Sequence, residues 1–182
     1  MILLTTSRRP TDLIRSMCRD FSNSVPDVVR VNRGKMSLDG VAERAIEFKA
    51  DQVVLVDRWH RGAGKISFFT VGFSGLTSFS PLMLLSGVRL RREFETRERS
   101  RSSVITVEPY DSPELERLAE NISQFFGLPI LPVDEAAESH HASIHLSFGS
   151  SRQLQITFML LRRMVEIGPR VTLSKLVWDV SS

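Results

Sequence analysis

The side chains best suited to a chemical role in this sequence are cations, and they come in clusters. Arg8 and Arg9 form one. Arg30, Asn32, Arg33 and Lys35 form a second, and Arg58, His60, Arg61 and Lys65 a third. A fourth, residues 88–103 (VRLRREFETRERSRSS), sets six arginines against three glutamates and includes Arg89, Arg91 and Arg92. Only four of the 24 basic residues are lysine, so the planar guanidinium fork dominates. That group binds phosphates with two parallel hydrogen bonds and stacks on flat rings. Trp59, inside the third cluster, adds a surface on which an unpaired base can stack. The pattern points to recognition of a polyanion.

Patterns for catalysis are weaker. Residues 59–66 (WHRGAGKI) look in part like a phosphate-binding loop, but the first glycine is missing and Ile66 stands where a hydroxyl would hold magnesium. A strand pattern follows where a helix N-terminus would be needed. His140, His141 and His145 lie near Asp134, Glu135 and Glu138 with no cysteine and no regular ligand spacing, so no metal is expected. No Ser-His-Asp or Cys-His arrangement has a recognisable setting. The sequence predicts neither a cofactor nor an enzyme. Cys18 is the only cysteine, which suits a reducing cytoplasm. No apolar run reaches the ~18 residues of a membrane span, so a membrane partner is not expected.

The elements that must position these cations follow from hydrophobic periodicity. Residues 2–6 read as a buried strand. Pro10 opens a helix in which Leu13, Ile14, Met17, Cys18 and Phe21 share one face. Residues 28–31 form a second strand. Ser37 caps a helix with Leu38, Val41, Ala42, Ala45 and Ile46 on its apolar side. Residues 52–56, nearly all apolar, form a third strand covered on both faces. This alternation predicts parallel pairing with right-handed crossovers, which would bring the first three basic clusters out together at the strands' carboxyl ends. Residues 65–71 and 76–80 read as further strands, 81–86 as either a helical turn or a strand. The arginine-rich connector is expected to begin as an edge strand and to be mobile over 96–102. A strand at 103–107 follows. Next comes a helix capped by Ser112 with Leu115, Leu118, Ala119, Ile122, Phe125 and Phe126 on one face, stopped at Gly127 and Pro129. Residues 130–131 read as a short strand and 134–141 as a polar loop. Residues 143–148, 154–161, 164–167 and 171–177 read as antiparallel strands.

Both ends of the chain thus begin strand, proline-bearing loop, helix, proline, strand. That weak repeat suggests a pseudo-symmetric α/β molecule in two halves, each with a mixed sheet. The charge divides the same way. Residues 1–88 carry 12 basic and 8 acidic side chains, residues 103–182 carry 6 and 10, and the connector 89–102 lies between them. A basic half suits nucleic acid; an acidic half suits a basic protein. The other reading is a protein-interaction scaffold whose basic face meets acidic partners.

Several motifs are similar to one known family. TTSRRP (residues 5–10), VNRGK (31–35), HRG (60–62), GLTSFS (75–80) and VEIGPRVTL (165–173) resemble the Brix-domain family of ribosome-biogenesis proteins, and its short archaeal members in particular. The order holds over nearly the whole chain. Leu76 replaces a proline usual in the family, and an aspartate-rich segment of many eukaryotic members has no counterpart at 150–161. The resemblance implies two halves akin to the anticodon-binding domain of class II tRNA synthetases. It also implies binding of ribosomal RNA precursors during rRNA processing and subunit assembly, without catalysis. A monomer is expected. Arg8, Arg9, Asn32, Arg33, His60, Arg61 and Arg170 are the positions matched for RNA.

Overall fold

The computed structural model describes residues 1–109 and 111–180. Three strands set the basic end. β1 (Ile2–Thr6) pairs in parallel with β2 (Val28–Arg30) on one side and β3 (Gln52–Asp57) on the other. Two helices make the crossovers. α1 (Asp12–Ser24) is capped by Thr11, whose hydroxyl accepts from the Ile14 amide, with Asp12 facing the positive end of the helix. α2 (Leu38–Glu47) is capped in the same way by Ser37.

A hairpin continues the sheet antiparallel: β4 (Gly64–Gly72) and β5 (Gly75–Arg89). The stretch 81–86, ambiguous from its sequence, is strand, and β5 runs for 15 residues. It is not an edge. β10 (Arg170–Val177) pairs with it from Leu82 to Arg89, so β5 lies mid-sheet. Beyond β10 come β8 (Leu154–Leu160), β7 (Ala142–Phe148) and β6 (Ile105–Val107), while β9 (Val165–Glu166) pairs β8 off this path. The strand order is β2-β1-β3-β4-β5-β10-β8-β7-β6. The β5–β10 pairing thus joins the expected mixed sheets into one ten-stranded mixed sheet. The reason is the fit of two long, half-apolar strands, which no local pattern announces.

α3 (Pro113–Phe126) has the expected Ser112 cap and stops at Gly127. The expected loop at 134–141 begins instead as a helix, α4 (Val133–Ser139). Ala136 is buried there against Val104 and Leu161, and that tertiary contact outweighs the polar composition. Residues 130–131 reduce to a single parallel bridge, Ile105 to Ile130.

Strand alternation sorts side chains to two faces. Ile2, Leu4, Val54 and Val56 point to a large core shared by α1 and α3, while Leu3 and Val53 meet α2 on the other face. Elements from the two ends of the chain pack on each other across that core. Phe21 of α1 meets Phe158 of β8 edge-on at 5.6 Å, and Phe125 of α3 meets Phe68 of β4 at 4.9 Å. Each such pair adds roughly 0.5–1.5 kcal/mol beyond the area it buries. Among the described residues no helix is long and apolar enough to cross a membrane.

Candidate nucleic-acid interface

Because β1, β2 and β3 are parallel, the loops that leave their carboxyl ends emerge on one edge of the sheet. Arg8, Arg9, Arg33, Arg58 and Lys65 line one depression there, of about 510 Å³. Arg8, Asn32 and Arg33 line a second with Arg15, Arg19 and Arg30. Arg58, Trp59 and His60 line a third, beside the start of α1. Arg8 and Arg33 belong to the first two, Arg58 to the first and third, so the three form a continuous basic rim.

The cations differ in how free they are. Arg8, Arg9, Asn32, Lys35, Arg58, His60 and Arg61 are exposed. Arg33 is 7% exposed. Its Nε donates to the Met36 carbonyl at 2.7 Å and its Nη1 reaches the Thr6 carbonyl at 3.5 Å. It pins the β2–α2 loop to the end of β1 more than it faces outward. Burial, then Arg8, holds its guanidinium below the ordinary arginine value, while Asp57 acts in the opposite sense. Lys65 lies 3.8 Å from Asp57. Trp59 is half-buried with its ring across Gly62, where a Cβ would come within 2.5 Å of the ring and 2.2 Å of the Leu85 carbonyl. The ring and Gly62 are thus in close contact.

Two candidates are committed elsewhere. Nη1 of Arg170 donates to both carboxylate oxygens of Glu166, at 3.1 and 3.0 Å. Arg89 donates to the Glu93 carbonyl at 2.8 Å and lies 4.3 Å over the Phe94 ring, with Arg170 5.8 Å from that ring. These two brace the turn Arg91–Glu93. The stretch 96–102 is irregular but tied down. Glu98 pairs with Arg163 and, at 2.9 Å, with His141, and the Ser102 amide donates to the Ser24 carbonyl.

The sequence reading missed Arg15 and Arg19. Both are exposed on α1, one turn apart, opposite its buried Ile14, Met17 and Cys18. The i, i+4 spacing was the available signal. Cys18 faces the core, where burial pushes its thiol up to about 12 against a weaker opposing effect of Arg30, so it is no nucleophile. Among the described residues no group of three or more His, Cys, Asp or Glu is placed to hold a metal ion.

No protein-family model matches the chain. Curated relatives do. A protein of Aeropyrum pernix is 34% identical over 90 residues, half of each chain. One of Methanopyrus kandleri is 29% identical over 177 residues, covering 91% of this chain and 89% of that one. Each is named a probable Brix domain-containing ribosomal biogenesis protein. Among solved structures, the probable ribosomal biogenesis protein of A. pernix K1 superposes with a TM-score of 0.75 at 26% identity, over 97% of this chain and 98% of that one. Mil, an archaeal Imp4-like protein, gives 0.67 at 21% identity over 97% and 99%, which speaks to the fold alone. The fold is that of archaeal ribosome-biogenesis proteins, a mixed α/β architecture on one broad sheet. The resemblance of its motifs to the Brix-domain family thus agrees with the names these archaeal relatives carry.

Proposed function

We propose that the chain is a ribosome-assembly factor that binds ribosomal RNA precursor across the basic rim and assists its processing without catalysing a reaction. The observation that carries this reading is the continuity of the three depressions through Arg8, Arg33 and Arg58. Clustering of cations from sequence-distant loops on one edge is the electrostatic footprint of a nucleic-acid surface. Exposed Lys35 and Arg61 lie in the same loops and extend it, and Trp59 offers its ring to a base. Arg89 and Arg170 act indirectly, by shaping the turn beside the rim.

The proposal includes the organisation of the chain. Read inward from each end, the sheet runs β2-β1-β3-β4-β5 and, with the Ile130 bridge first, Ile130-β6-β7-β8-β10. The same order supports two related halves, 1–88 and 103–182, joined by the connector 89–102 and similar to anticodon-binding domains. The acidic second half is the surface for a ribosomal or other assembly protein. The factor works as a cytoplasmic monomer.

Filter binding to rRNA fragments across a salt series tests the reading. The triple substitution Arg8→Ala, Arg9→Ala, Arg58→Ala should weaken binding and flatten the salt slope by about 0.7 for each single-strand phosphate that is no longer neutralised. An unchanged slope refutes the rim. If nuclease leaves a native complex intact, the interaction-scaffold reading replaces this one.

A further inference from the structure

The connector does more than link two halves. Between its residues Arg91, Arg92, Thr96, Arg97, Glu98 and Arg99 and the outer side of α1 lies a depression of about 320 Å³, lined from the helix by Ser16, Arg19, Asp20 and Asn23. Five guanidinium groups border it. Among the described residues, Arg19, Arg92, Arg97 and Arg99 have no ion-pair partner. The two carboxylates of the pocket are engaged: Asp20 accepts from the Arg91 amide at 2.9 Å, and Glu98 faces Arg163 and His141. Nη2 of Arg91 is buried with no hydrogen-bond partner. A buried guanidinium nitrogen left unpaired is costly, and an arriving anion removes that cost.

We propose that this pocket is a dedicated phosphate-ester site, filled by one phosphate group of the RNA whose chain crosses the rim. The placement of Arg19 supports the continuity, since it lines both this pocket and the depression that holds Arg8, Asn32 and Arg33. Geometry favours phosphate, whose oxygens accept several planar forks together. The Arg91 guanidinium is already held below the ordinary arginine value, by burial first, with Asp20 opposing and Arg99 adding to the effect. A bound dianion or monoanion would offset that mutual repulsion. The polymer rests on the reading given above; the capture of phosphate does not.

The test uses the whole protein and inorganic phosphate. In 15N-resolved spectra of arginine Nε–H groups, phosphate at constant ionic strength should shift Arg19, Arg91, Arg97 and Arg99 saturably. Arg97→Ala with Arg99→Ala removes two exposed side chains that hold no ion pair. It should abolish the shifts while leaving the urea midpoint unchanged, and should lower the rRNA salt slope by up to about 0.7, the share of one single-strand phosphate. Comparing a 5′-phosphorylated oligoribonucleotide with its 5′-hydroxyl form assigns the group: preference for the first means a chain end, equal binding an internal diester. The proposal is overturned if phosphate shifts none of the four, if an oligo-glutamate peptide shifts them and phosphate does not, or if the double variant keeps the full RNA slope. Should wild type bind no rRNA, the assembly reading fails while the phosphate titration still decides the pocket.

Discussion

Arg8 and Arg33 donate to one and the same acceptor. Nε of Arg33 reaches the Met36 carbonyl at 2.7 Å and Nε of Arg8 reaches it at 3.3 Å. The two are not equivalent, because Arg33 is buried and Arg8 exposed. Arg33→Ala should lower stability by about 1–3 kcal/mol, through loss of the hydrogen bonds of a buried charged donor, for which the longer contact from exposed Arg8 substitutes only in part. Arg8→Ala should cost under about 0.5 kcal/mol, as at other exposed positions. Urea unfolding beside RNA titration separates them: Arg8 acts mainly on affinity, Arg33 mainly on the midpoint.

Glu98 is the tether of the connector, pairing with Arg163 and His141. All three side chains are well exposed, so Glu98→Ala should change global stability by less than about 1 kcal/mol. Local order is a separate quantity. Amide exchange over residues 96–101 should rise in this variant while the protection of β5 and β10 stays as in wild type.

His145 should make the fold sensitive to acid. Its Nδ1 lies 2.8 Å from Oγ1 of Thr106. Burial holds the imidazole below its ordinary 6.5, against the smaller opposing effects of Glu108 and Glu166. A depressed value means the unfolded chain takes up the proton first. The stabilising contribution is therefore full above pH ~6.5 and is lost as pH falls below it. The drop in urea midpoint between pH 7.5 and 5.5 should be smaller in His145→Gln than in wild type.

Gly168 has φ +63°, and a Cβ there would fall 2.4 Å from the Phe94 ring and 3.3 Å from Cα of Arg91. Gly168→Ala should cost at least about 1–2 kcal/mol from the left-handed backbone alone. The ring must also move, and with it the stacked Arg89 and the Arg91 backbone. RNA affinity should fall with stability in this variant, whereas in Glu98→Ala the two should part.

What was legible in the sequence was local or periodic. The strand–helix alternation of residues 2–56 places the loops of Arg8, Asn32 and Arg58 on one edge, because parallel pairing leaves no other arrangement. The Ser37 and Ser112 caps mark α2 and α3 closely. What was not legible depends on distant partners. That Arg170 pairs with Glu166 four residues before it, and that Arg89 lies on Phe94, depends on turns held where Gly168 packs on Phe94 and Arg91, a contact between segments far apart in the chain. α4 has a single buried alanine, too little for a periodic pattern. The connector's composition reads as solvated, yet Leu90 and Phe94 are buried and Glu98 meets partners from the far end of the chain.

The pairing of β5 with β10 also bears on how the protein is made. β10 is translated after every other strand of the described chain, yet it occupies the middle of the finished sheet. Until it leaves the exit tunnel, β5 presents a naked row of amides over an apolar stretch, the kind of border that recruits neighbouring polypeptides. A stalled nascent chain ending before Arg170 is expected to be cut by protease within β5, and one extended past Val177 to resist.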